Sequence, residues 1–152
     1  MSRVDFYHLQ NTKLEDVLPA LLEKAYATGK RILVRVGNEE RVEFLNSLLW
    51  TYKDESFLPH GSKKDGSAEM QPIWFTSDTD NANNAVFLFL TDGASATIEE
   101  IEKFERVFNI FDGNTAEALE KARDFWRELK NQQFADVFYW QQNAGGGWQQ
   151  KG

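Results

Sequence analysis

The sequence predicts a layered α/β domain, and three observations predict it. Short apolar runs of β-type residues alternate with segments whose apolar residues recur at helical spacing. The chain has 152 residues, 41% of them hydrophobic, which is enough to bury the core of one domain. No internal repeat and no second domain are visible. Residues 1–152 are therefore expected to form a single unit, with a flexible loop over about 61–71 and a polar, glycine-rich tail over about 143–152.

Val4–His8 (VDFYH) reads as the first strand. Leu14, Val17, Leu18, Leu21, Leu22 and Ala25 follow at helical spacing, and Gly29 ends the pattern. Thr12 and Glu15 have the spacing of a capping box, while Pro19 predicts a kink or a start nearer Asp16. Arg31–Val36 (RILVRV) is the second strand, and Asn38 is the expected cap of a helix running to about Trp50. Thr51–Gln71 is rich in Ser, Gly and Lys and reads as a long surface loop. Ile73–Thr76 and Ala85–Leu90 are further strands, separated by the polar turn SDTDNANN. Thr97–Phe104 is a short helical segment and Arg106–Ile110 a short strand. Asn114 with Glu117 opens the last long helix, to about Lys130. Val137–Trp140 is the final predicted strand, before Gly145-Gly146-Gly147, Trp148 and a polar end.

Charge and composition exclude several classes of function. The 17 basic and 24 acidic residues give a net charge of −7. Proteins that grip nucleic acid usually carry a basic surplus, so strong direct DNA or RNA binding is not expected. The longest apolar runs fall far short of the roughly 20 residues a bilayer-spanning helix needs. The start, MSRVDFYHL, lacks the apolar stretch of a signal peptide, so a cytoplasmic location without membrane contact is expected. The absence of cysteine excludes disulfides, thiolate metal sites and cysteine nucleophiles.

No catalytic constellation stands out. His8 and His60 belong to no ligand-spaced motif and read as structural or surface residues. There is no GxxxxGK[ST] loop, no GxGxxG after either of the first two strands, and no GxSxG elbow. Neither a cofactor nor a metal is expected. Asp92, after AVFLFLT, sits where a buried strand would deliver a carboxylate to the sheet's C-terminal edge, although a strand-ending TDG turn is far the commoner origin of such a residue.

The last helix is more informative. At about 100° per residue, Ala118, Ala122, Phe125 and Leu129 form a core stripe. Glu117, Asp124 and Glu128 share one flank; Trp126, Leu119, Lys130, Arg123 and Arg127 share the other. The face is either an ordinary solvated one or a docking site for an acidic peptide. In the second case Arg123, Arg127 and Lys130 attract carboxylates and Trp126 offers an apolar wall. A second cluster, Leu48-Leu49-Trp50 followed by Ser56-Phe57-Leu58-Pro59-His60, places large apolar residues beside a loop, for the core or for a partner.

These segments carry a resemblance. The opening VDFYHL, the strand GKRILV, the helix closing on LW, the following ESFLPH and the helix with ARDFWR are similar, in collinear order, to the chi subunit of bacterial DNA polymerase III holoenzyme. The resemblance implies a three-layer α/β/α fold with a mostly parallel central sheet, Rossmann-like in outline but without a nucleotide site. It implies a non-catalytic accessory protein of the clamp-loader complex with two contact surfaces. One would bind the psi subunit or its replacement through Trp50, Phe57 and Pro59. The other would bind the acidic C-terminal tail of single-stranded DNA-binding protein through Arg123, with Trp126 and Arg127 following. Leu119 stands where better-known members carry a further basic residue, so Lys130 is the remaining cation on that flank, and Phe111 is the candidate for the pocket's other wall.

Two rivals of other classes remain at this stage. One is a small-molecule- or metal-binding α/β enzyme using Asp92 at the sheet edge. The other is an interaction module with unrelated partners.

Overall fold

A computed structural model describes residues 2–51, 58–134, 136–145 and 147–152. Eight strands make one sheet among them: β1 (Arg3–Leu9), β2 (Ile32–Val36), β3 (His60–Ser62), β4 (Ile73–Thr76), β5 (Phe87–Thr91), β6 (Arg106–Asp112), β7 (Asp136–Gln142) and β8 (Trp148–Gln150). Their spatial order is β3-β4-β2-β5-β6-β1-β7-β8, and every neighbouring pair is parallel except β7–β8. Helices α1 (Leu14–Tyr26) and α2 (Glu39–Thr51) cover one face, while α3 (Ile98–Ile101) and α4 (Ala116–Asn131) cover the other. The three-layer α/β arrangement is the expected one.

The sequence forms these layers because a parallel sheet covered on both faces needs strands that are apolar throughout. IWFT in β4 and FLFLT in β5 are buried at every position. Side chains alternate between two cores. Ile32, Val34, Phe87 and Phe89 meet α1 and α2, whereas Leu33, Leu88, Leu90, Val4 and Phe6 lie in the core of α3 and α4. Each fully buried large side chain contributes roughly 1.5–3 kcal/mol, so these two cores dominate the stabilisation.

Buried polar groups lock the layers together. Asp5 is fully buried in β1 and binds Arg3 at 3.0 Å, Arg106 at 2.8 Å and the Trp140 indole N–H at 2.9 Å, tying β1 to β6 and β7. Arg35, 3% exposed, donates to the carbonyls of Ser95 and Thr79 and pairs with Glu100 at 3.0 Å.

Several local expectations are corrected. Thr12 and Glu15 do not box the first helix. The Asp16 carboxylate accepts from the Lys13 N–H at 3.2 Å, Thr12 accepts from the Gln142 amide, and Glu15 pairs with Arg41. Pro19 lies inside α1, which begins at Leu14. Asn38 does cap α2, accepting from the Arg41 N–H at 2.9 Å. Asn114 instead donates to the Gln10 carbonyl, and the N-cap of α4 is Thr115. The stretch read as one long loop contains β3 and a 3-10 turn at Ala68–Met70, held by His60, Ser62 and Asp65. The glycine-rich end carries β8, whose Trp148 stands edge-on to Tyr7 at 5.1 Å.

Candidate functional site

α4 buries Ala122 and Leu129 and half-buries Phe125, which leaves Arg123, Arg127 and Lys130 exposed and Trp126 half-buried. The Trp126 indole is wedged edge-on against Phe6 of β1 at 5.4 Å and Tyr139 of β7 at 5.7 Å. The Lys130 ammonium lies 4.8 Å from the indole centre, a cation–π contact one turn along the helix. One turn the other way is Arg123, whose guanidinium has no hydrogen-bond or ion-pair partner among the described residues. Among the described residues Arg127 pairs only with Asp124, at 3.4 Å, and both side chains are so exposed that the pair is worth little.

The strands supply the other wall. Tyr139 and His8 project from β7 and β1 towards α4, with the phenol oxygen 2.7 Å from His8 Nδ1, and Phe111 of β6 packs on the imidazole at 5.1 Å. Burial and then the charge of Arg123 lower the His8 pKa, with Asp112 opposing them. Burial raises the Tyr139 pKa, against the pull of Arg123. Gly113 is glycine by necessity, since a Cβ there would lie 1.8 Å from His8 Nε2 and 2.7 Å from the Leu9 carbonyl oxygen. On the outer side the strand pairing of β8 continues to Gly152, whose carbonyl accepts from the Tyr139 N–H and which abuts the Trp126 ring.

The outcome is a notch with an unengaged guanidinium at one end, an indole with an ammonium at the other, and a histidine–tyrosine pair between. Such a site can hold a carboxylate beside an apolar side chain. The helix wheel found Arg123, Trp126, Arg127 and Lys130. It missed His8 and Tyr139, although strand alternation with buried Val4 and Val137 was the signal that turns both towards α4.

The second predicted surface is partly in view. Trp50 is 49% exposed near the end of α2 and packs at a tilt against His60, with ring centres 4.1 Å apart. Pro59 is half-buried nearby in sequence, after buried Leu58, and Phe57 lies outside the described residues. Asp92 follows β5 in a turn, with φ of 50°, and accepts from Arg41 at 3.1 Å, so its carboxylate is already ion-paired. Among the described residues no three side chains cluster as metal ligands, and no helix is long and apolar enough to cross a membrane.

Comparison with known proteins gives this α/β chain its class: it is similar to subunits of DNA polymerase III. The family model described as DNA polymerase III chi subunit, HolC, matches residues 1–135. A relative from Rickettsia prowazekii (strain Madrid E), called probable DNA polymerase III subunit chi, is 32% identical over 109 residues, covering 71% of this chain and 66% of the relative's length. The chain belongs to the DNA polymerase III chi subunit family.

Proposed function

We propose that this protein is a non-catalytic accessory subunit that bridges the polymerase III clamp-loader complex to single-stranded DNA-binding protein by gripping that protein's acidic C-terminal tail. The observation that carries the reading is the unengaged Arg123 guanidinium beside the Trp126–Lys130 pair in an otherwise acidic protein. The tail's terminal carboxylate pairs with Arg123, its last apolar side chain packs on Trp126, and its upstream acids feel Arg127 and Lys130. Many tails cluster on coated DNA, so a modest single affinity is raised by effective concentration. The other surface, Trp50 with Phe57 and Pro59, holds the psi subunit or its replacement. Family membership supports the replicative setting.

Calorimetric titration with an acidic peptide ending in an apolar residue and a free carboxylate tests the reading. Binding at low salt, weakened by added salt and by amidating the peptide's end, is the expected result. No heat at low salt, or equal affinity for the amidated peptide, removes it.

A further inference from the structure

A cleft of about 940 Å³ opens at the C-terminal edge of the sheet, and neither Arg123 nor Trp126 lines it. Its place follows from the topology. β1 and β2 lead into α1 and α2 on one face, whereas β5 and β6 lead towards α3 and α4 on the other. The connections therefore part between β2 and its neighbour β5, and again between β6 and its neighbour β1. Where adjacent parallel strands send their connections to opposite faces, a crevice opens beyond their carboxyl ends, and that is where open α/β sheets take ligands. The cleft spans both points.

At its floor lies Asn109 of β6, only 9% exposed. No described group hydrogen-bonds to its side chain. Its amide is not sealed away but reaches the open cleft, so it is a donor and acceptor that a ligand there can engage in place of solvent. The first turn of α4 adds to this. Thr115 gives its hydroxyl to Asp112 and caps none of the helix amides, so those amides too lack a side-chain acceptor at the cleft's rim. Ile110, Phe111 and Phe125 supply apolar wall. Carboxylates outnumber cations among the lining residues, and two of the cations are occupied: Arg41 by Glu15 and Asp92, Lys121 by the Gly93 carbonyl.

We propose that this cleft binds an uncharged planar heterocycle presenting a hydrogen-bond donor and acceptor side by side, as the edge of a nucleobase or free nucleoside does, and that it takes the form without phosphate. A carboxamide offers the complementary acceptor and donor at matching spacing, which is how asparagine pairs with adenine. Ring faces suit the apolar walls. The acidic rim, together with the missing glycine-rich phosphate loop, disfavours phosphorylated forms. The inference stands independently of the tail-binding notch.

An NMR titration of the full chain with adenosine, uridine and ATP tests it. The expected result is a saturable shift of the Asn109 side-chain amide and of the backbone at Asp92, Gly93 and Thr115 with at least one nucleoside, and weaker binding of ATP. Asn109→Leu should weaken nucleoside binding by roughly tenfold or more, because a site built to hydrogen-bond its ligand loses its pairing. Ala118→Trp, which fills the cleft from its α4 side, should block binding even if Asn109→Leu fails to fold. Both variants should titrate the acidic peptide as the parent does. No saturable shift with either nucleoside at millimolar concentration, unchanged nucleoside affinity in the cleft variants, or tighter binding of ATP overturns the proposal.

Discussion

His8 Nδ1 and the Tyr139 hydroxyl stand 2.7 Å apart across the paired strands β1 and β7, beneath the charge of Arg123. Burial and Arg123 together keep the imidazole below its usual pKa, against Asp112. This pair makes His8 a reporter of whatever neutralises Arg123.

An acidic peptide seated at Arg123 cancels part of the guanidinium's field, so it raises the His8 pKa. Binding then takes up protons, and affinity increases as pH falls through the range below about 6.5, where an ordinary histidine titrates. An NMR pH titration of the His8 ring, with and without peptide, should show a higher midpoint in the complex. An unchanged midpoint places the peptide elsewhere. For the free protein the sign is opposite. The folded-state pKa is depressed, so the unfolded chain binds more protons below about 6.5 and this residue's contribution to stability falls as pH drops.

Arg123→Ala should weaken the acidic peptide most. A hydrogen bond to a charged group is worth about 1.5–3 kcal/mol, or roughly a tenfold to hundredfold loss of affinity. Arg127→Ala should cost less, about 0–1 kcal/mol, because that side chain is solvated and already shared with Asp124. Calorimetry on both variants checks the order, and a reversed order moves the site towards the helix end.

Gly113→Ala should destabilise the fold by about 1–3 kcal/mol, since the added methyl collides with a ring nitrogen and with the Leu9 backbone oxygen. Urea denaturation measures the loss, and the His8 ring signals should move with it. A neutral substitution would mean that the turn after β6 is free to shift.

Asp5→Ala should cost about 3 kcal/mol, the low end for breaking a buried ion pair, because Arg3 and Arg106 keep some solvent contact. The Trp140 indole N–H also loses its acceptor. Thermal unfolding should show the drop, together with a change in tryptophan fluorescence.

The central strands were legible because full burial writes itself as continuous apolar runs such as IWFT and FLFLT. β3 and β8 were not. HGS is polar, and it is buried only because His60 and Ser62 meet the Asn46 carbonyl and the Glu43 carboxylate, partners brought by α2. WQQ follows a glycine run and becomes a strand by pairing with β7. Asn114 and Thr115 are both good caps in isolation, and the Gln10 carbonyl decides between them. In the notch, the helical face could be read from periodicity along one segment. The His8–Tyr139 wall needs the register of two strands about 130 residues apart in sequence, which no local pattern contains.

Both margins of the sheet finish in strands of three residues, β3 on one side and β8 on the other. A long bare margin would be a seam onto which a foreign strand can zip; β3 is too short to offer one, whereas the pairing of β8 runs on to Gly152. The exposed indole near the end of α2 and the exposed guanidinium midway along α4 stand clear of that ladder, so a contact made with either leaves every rung in place.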